Sequence, residues 1–253
     1  MKTICLIPAR MGSSRFPGKP LAKIKGIPMI EHVYKRAELS KSIHKIAVAT
    51  PDKEIANYVK AFGGNVIMTK ITHERASDRC AEALLIEEKI FNIKYDVVVM
   101  VQGDEPLVHP KMIDKAINTL TNENDINVVN LLGPINEEEF IDKNIIKVIT
   151  NKKLDALYFS RNPLPFMKKI DLSIVGKQIC IIPFKRDFLL KYSDLEPTPL
   201  EIQESIDMLR VLEYGYKVKM AKVKIDSHPV DVEKDISLVE SILEKDEIFK
   251  NGY

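Results

Sequence analysis

Cysteine is scarce in this chain. The three present, Cys5, Cys80 and Cys180, stand far apart with no CxxC spacing. That argues against a zinc site or a disulfide framework and for buried thiols in a reducing compartment. An excess of charge of one sign is also missing: 38 basic residues oppose 36 acidic ones, for a formal net charge of +2. Such a balance gives no reason to expect nucleic acid or an anionic membrane as partner, so any anionic ligand must be held by local charges. No apolar stretch approaches the length needed to span a bilayer, so no membrane insertion is expected. The start, one lysine and then a short apolar run closing on Pro8-Ala9-Arg10, is too short for a signal peptide. The expectation is a cytoplasmic protein. Internal repeats and low-complexity linkers are absent as well.

What is present alternates between strand and helix. "KTICLIPA" (2–9), "HKIAVAT" (44–50) and "NVIMT" (65–69) read as short strands, and "YDVVVMV" (95–101) as a central parallel strand buried on both faces. Between them, 28–39, 52–63 and 77–90 have helical spacing, with Pro28 suited to a first turn, Ser77 to an N-cap and glycine to a helix end. This predicts a doubly wound α/β sheet. The second half is less regular. Residues 145–160 read as two strands around Asn151-Lys152-Lys153, 177–184 as one strand, 198–215 as one long helix, 218–225 as a strand and 232–246 as an amphipathic helix. One domain over 1–253 is expected, with about 133–195 as an inserted lobe.

In open α/β sheets ligands bind beyond the carboxyl ends of the strands. Two segments fall there. The first, "IPARMGSSRFPGKPL" (7–21), carries Arg10, Arg15 and Lys19 beside small residues. It is not a P-loop: five residues separate Gly12 from Gly18, and Pro20 follows Lys19 where a hydroxyl would be needed. Its amides and three cations can still cradle phosphate, although a solvated loop with incidental charges is an equal reading. The second, "VQGDEPLV" (101–108), offers Asp104, or else Glu105, to a hard cation such as Mg²⁺. Plain turn chemistry is the alternative. Asp231 in "SHPVDVEKD" (227–235) is a possible second carboxylate, or simply a helix N-cap.

Together, "IPARMGSSRFPGKPLAKIKGIPMIEHV", "ASDRCAEA", "VQGDEPLV", "LYFSR", "EPTPLE…LRVLEYG" and "VDVEKD" occur in the order found in the 3-deoxy-manno-octulosonate (Kdo) cytidylyltransferases. The chain resembles that family over nearly its whole length. The resemblance implies a Rossmann-like nucleotidyltransferase fold, mixed but mostly parallel, with the inserted lobe as the place to look for a homodimer interface. It implies transfer of CMP from CTP to the anomeric hydroxyl of a Kdo-type sugar acid, with release of pyrophosphate, for lipopolysaccharide biosynthesis. Roles carry over by position. Ala9 and Arg10 lie against the nucleotide, and Arg10, Arg15 and Lys19 face the triphosphate, with Lys19, Arg10 and Asp104 as the catalytic set. Ser77 and Arg79 read the cytosine. Asp104 and Asp231 hold Mg²⁺, which lowers the pKa of the attacking hydroxyl. Gln102 and Arg161 hold the sugar acid, whose carboxylate suits an arginine fork.

Two places depart from the family pattern. The base-reading motif begins with Ala76 instead of glycine. At the sugar pocket, Gln178-Ile179-Cys180-Ile181-Ile182 stands for a His-x-Gly-x-Tyr-like strand, and Asp207-Met208 for Glu-Gln. Losing an amide there removes strong hydrogen-bonding groups. An 8-amino-8-deoxy relative of Kdo, with Asp207 pairing its ammonium, is one expectation; neutral packing changes are the other. A nonulosonic acid of the sialic type is the alternative substrate, and a non-catalytic nucleotide-binding protein the alternative class. Of the histidines, His73 is expected on the ligand side. Tyr214 and Tyr216 are expected to pack at a helix end.

Overall fold

A computed structural model describes residues 1–12 and 15–253. In chain order, β1 (Thr3–Pro8) leads through a short hairpin, β2 (Lys23–Ile24) and β3 (Ile27–Pro28), into α1 (Met29–Glu38). β4 (Lys45–Thr50), α2 (Lys53–Ala61), β5 (Val66–Met68), α3 (Ala76–Phe91), β6 (Val97–Val101), α4 (Pro110–Asn122) and β7 (Val129–Gly133) follow. Then come α5 (Glu137–Ile141), β8 (Lys147–Thr150), β9 (Ala156–Ser160), β10 (Val175–Ile179), β11 (Ile181–Lys185) and α6 (Arg186–Ser193). The chain closes with α7 (Pro199–Glu204), α8 (Asp207–Glu213), β12 (Lys219–Lys222), α9 (Asp235–Leu243) and α10 (Glu247–Lys250).

The first sheet has the order β11-β6-β1-β4-β5. Its pairings are parallel except β11 against β6. Strand side chains alternate between two apolar layers, as a period of two demands. Cys5, Ile7, Val97, Val99 and Val101 pack against α1, α2 and α4. Ile4, Leu6, Val98 and Met100 face α3, α6 and α8. Every residue of β6 is buried, as its unbroken valine run requires. Each such side chain removed from water contributes roughly 1.5–3 kcal/mol. The fold is thus doubly wound and α/β.

A second sheet, β12-β7-β10-β8-β9, is mostly antiparallel. Of the span 133–195, β8, β9 and β10 lie in this sheet, whereas β11 belongs to the first. The expected single strand over 177–184 is therefore two. Residues up to Ile179 pair with β7, and after Cys180 the backbone joins β6 instead. The expected long helix over 198–215 is also two: Ser205 takes a left-handed conformation (φ 55°) and ends α7. Ser77 is not an N-cap; Arg75 holds that position and Ser77 lies inside α3. Asp231 likewise precedes the N-cap Lys234 of α9. α4, β7, α5 and α6 add to the elements expected. Among the described residues no helix is long and apolar enough to cross a membrane.

Candidate active site

The C-terminal ends of β1 and β6 open into one cleft. Two glycines make this possible. A Cβ on Gly103 would sit 3.0 Å from the carbonyl oxygen of Pro8, so the turn after β6 lies directly on the end of β1. Gly18, at φ +73°, closes the first loop by donating its N–H to Met11 O at 3.0 Å.

The cleft has two chambers. One, of about 400 Å³, is lined by Ala9, Arg10, Arg15, Lys19, His73, Arg75, Arg79, Gln102 and Asp104. The other, of about 390 Å³, is lined by Arg161, Lys177, Gln178, Asp207 and Asp231. Arg10, Arg15, Arg75, Gln102 and Asp104 line both, so they form the shared wall. The first chamber is rich in cations and suits a polyphosphate. The second mixes cations with carboxylates and suits a polyhydroxylated acid.

Three chain segments meet at the shared wall. Lys19 Nζ donates to Asp104 Oδ2 at 2.6 Å and to Val230 O at 2.9 Å. Val230 N donates to Asp104 O at 2.9 Å. Arg15 donates to Asp231 Oδ1 at 2.8 Å and to Asn144 Oδ1 at 3.0 Å. Burial pushes the Asp231 carboxyl above its ordinary pKa, and the neighbouring Asp104 adds to the rise. Asp104 and Asp231 both line the second chamber, each held by one cation, and their carboxylate oxygens are the kind of donor that suits a hard divalent cation. Glu105, the alternative ligand, is turned inward instead. It is 2% exposed, bonds Ser227 Oγ, and burial pushes its carboxyl up to about 7. Elsewhere Glu139, Asp226 and His228 cluster. There the ammonium of Lys177 already bridges Glu139 and Asp226.

The remaining expected site residues are placed as follows. Arg79 is 3% exposed and its guanidinium holds the 69–73 segment through Thr69 Oγ1 (2.6 Å), Lys70 O (3.1 Å) and His73 O (3.1 Å). Burial and then the charge of Arg10 lower its pKa, and both arginines line the first chamber. His73 lines that chamber and pairs with Glu82 at 2.7 Å. Ser77 is buried, and its hydroxyl donates to Asp207 Oδ2 at 3.1 Å. Asp207 also meets Arg75 at 3.3 Å, so protein donors already meet this carboxylate. Its pKa is raised, chiefly by burial. Arg161 is anchored by Nε to Glu204 O at 2.7 Å, and its backbone N–H donates to Glu204 Oε2 at 2.8 Å. Gln102 N donates to Cys180 O at 3.2 Å, which ties the turn after β6 to the chain between the two sheets. Gln178 donates to Asn130 Oδ1 at 2.5 Å.

Several residues of the cleft were not singled out from sequence. Arg75 lines both chambers and pairs with Asp207 and, at 3.7 Å, with Glu201. It precedes the quoted "ASDRCAEA" by one residue, so its signal was a neighbouring cation. Asn144 and Glu204, which hold Arg15 and Arg161, carry no local pattern. Asn130, a lone amide in the apolar run "VVNLLG", did carry one.

A cytidylyltransferase family model matches residues 4–225. The chain is 41% identical to the 3-deoxy-manno-octulosonate cytidylyltransferase of Geobacter metallireducens over 94% of its own length and 96% of that protein's. It is 39% identical to the mitochondrial 3-deoxy-manno-octulosonate cytidylyltransferase of Arabidopsis thaliana, covering 96% of this chain and 83% of that one. Among solved structures, a CMP:2-keto-3-deoxy-manno-octonic acid synthetase complexed with CTP superposes with a TM-score of 0.87 at 33% identity, covering 97% of this chain and 99% of the other.

Proposed function

The chain belongs to the 3-deoxy-manno-octulosonate cytidylyltransferase family, and from that premise we propose that it transfers CMP from CTP to the anomeric hydroxyl of Kdo, releasing pyrophosphate. The observation that carries this reading is the shared wall. A cation-rich chamber and a mixed-charge chamber meet at Arg10, Arg15, Gln102 and Asp104. In such a cleft an acceptor hydroxyl and an α-phosphate can be held face to face, and orientation supplies much of the rate.

In this reading Ala9 and Arg10 lie along the nucleotide. Arg10, Arg15 and Lys19 neutralise the triphosphate before and during departure of pyrophosphate. Ser77 and Arg79 shape the base end by fixing α3 and the 69–73 segment. Arg161, its Nε and Nη1 held by backbone carbonyls, offers its remaining N–H groups to the sugar carboxylate, while Gln102, Gln178 and Asp207 form the wall around the hydroxyls. The new bond joins the anomeric oxygen to the α-phosphorus, the bond to the β-phosphate oxygen breaks, and the hydroxyl proton leaves to solvent. No histidine is needed as base. Asp104 and Asp231 would hold Mg²⁺, and their shared place in the second chamber supports that assignment. When bound, the ion would neutralise phosphate charge and lower the pKa of the attacking hydroxyl.

A homodimer belongs to the same reading. Leu157, Phe166, Ile170 and Ile174, all in the span 133–195, are large apolar side chains left exposed, Phe166 at 91%. Light scattering on the pure protein should give twice the chain mass, and Phe166→Asp should lower it. The function is tested by mixing the protein with CTP, Mg²⁺ and Kdo and following pyrophosphate. Release that needs all three supports the transferase reading. CTP binding with no turnover would move the substrate to another sugar acid, and no CTP binding would refute the reading.

A further inference from the structure

Asn130 lies on β7 and is fully buried in an otherwise apolar strand. Its Nδ2 donates to the backbone carbonyl of Ile179 at 2.7 Å, and its Oδ1 accepts from Gln178 Nε2 at 2.5 Å. The direction of this relay is not arbitrary. A backbone carbonyl can only accept, so the nitrogen of Asn130 must face Ile179. Oδ1 is then the atom left for Gln178, and it too can only accept, so Gln178 must present its nitrogen. The planar amide of Gln178 keeps the second N–H of Nε2 and the carbonyl Oε1, and Oε1 is its one acceptor. Among the described residues no donor reaches Oε1, and it is not sealed from solvent. Gln178 lines the second chamber.

Resting on the function proposed above, we propose that Asn130 is a positioning residue which fixes Gln178 as a hydrogen-bond acceptor in the acceptor-substrate chamber. Gln178 is then a specificity-determining residue. The substrate must offer a donor at that point, a hydroxyl or an ammonium group. A group that only accepts, or an apolar group, leaves Oε1 unpaired as the chamber loses water and is rejected. A free glutamine could turn over and serve either kind of partner; this one cannot without breaking two bonds at Asn130.

The test uses the whole protein with CTP and Mg²⁺ and varies Kdo and its mono-deoxy analogues. Asn130→Leu keeps the side-chain volume and removes the relay, and Gln178→Met removes the acceptor. Each should raise KM for Kdo by about tenfold, the worth of one hydrogen bond, with kcat and KM for CTP within about twofold. The double variant should be no worse than Gln178→Met alone, because Asn130 acts through Gln178. Wild type should discriminate against one mono-deoxy analogue, and Gln178→Met should lose that discrimination. A purely structural role for Asn130 would instead lower stability and leave the KM for Kdo unmoved, or would add to the effect of Gln178→Met. Either result overturns the inference, as does a deoxy-analogue profile shared by wild type and Gln178→Met. A wild type inert toward Kdo overturns the underlying function with it, so the two failures are told apart by the wild-type control.

Discussion

Arg210→Met should be among the most damaging single changes outside the cleft. Arg210 and Glu201 are 2% and 0% exposed. They form a bidentate pair, Nε to Oε2 at 2.6 Å and Nη2 to Oε1 at 2.7 Å. The guanidinium also donates to Leu195 O at 3.1 Å and lies 4.7 Å from the Tyr192 ring centroid. Methionine fills much of the volume but leaves the Glu201 carboxylate buried, with Arg75 at 3.7 Å as its nearest cation. Stranding one partner of a buried pair costs about 3–5 kcal/mol. For a chain of this size that lowers Tm by roughly 6–20 °C. The double variant Glu201→Leu/Arg210→Met removes the stranded charge. It still loses the hydrogen bond from Thr198 N–H to Glu201 Oε2, worth about 1 kcal/mol. It should therefore recover at least about 2 kcal/mol over the single variant. Urea unfolding of wild type, both singles and the double closes the cycle. If Arg210→Met cost less than about 1 kcal/mol, or the double were no better than the single, the pair would not be a desolvated one.

Lys19→Met should lower kcat/KM for CTP by about 10² or more, since it removes a cation held at the shared wall; pyrophosphate release reads it directly, and a loss under about threefold would take Lys19 out of the catalytic set. Chelation with EDTA should abolish turnover and added Mg²⁺ should restore it; full activity in EDTA would remove the metal from the reading of Asp104 and Asp231. His32 donates Nε2–H to Ile24 O at 2.8 Å and accepts at Nδ1 from the hydroxyl of Tyr253, and burial lowers its pKa. The unfolded chain then binds the extra proton first, so the neutral pairing stabilises the fold above about pH 6.5 and that contribution is lost as pH falls. The slope is at most about 1.4 kcal/mol per pH unit. His32→Gln should flatten this part of the stability–pH curve, and an unchanged curve would refute the assignment.

Much of the first sheet was legible because one physical rule governed it. β1, β4 and β6 are short apolar runs bounded by turn residues, and such runs are stable only as buried parallel strands. The loops after β1 and β6 could then be placed at the cleft from topology alone. α4 was not among the expected elements, although Pro110 at its start and Met112, Ile113, Ala116, Ile117 and Leu120 on one face are a helical signal. The break at Cys180 was not legible. After Gln178 the run "ICIIPF" is uniformly apolar, and only its two different pairing partners divide it. The end of α7 was hidden for a related reason. Ser205 carries no conformational signal of its own, and Glu201 with Arg210, nine residues apart, pair only because the chain turns between them. Ser77 reads as a cap by type, yet its hydroxyl is drawn to Asp207, a contact 130 residues away that no local pattern encodes.

The crossing at Cys180 has a mechanical consequence. β10 and β11 are one length of backbone clamped into both sheets, with a single residue between the clamps. It acts as a beam fixed at both ends. Swinging one sheet against the other would shear hydrogen-bonded ladders on either side of Cys180. Any tightening around bound substrates must therefore fall to the segments held at the cleft by side chains, the Arg15–Lys19 stretch and the turn at Asn144, whereas the stretch through Asp231 is tied to the turn after β6 by the backbone bond from Val230 to Asp104. The spacing between the two reacting centres is then set by strand geometry, and the loops determine only how long the reactants stay.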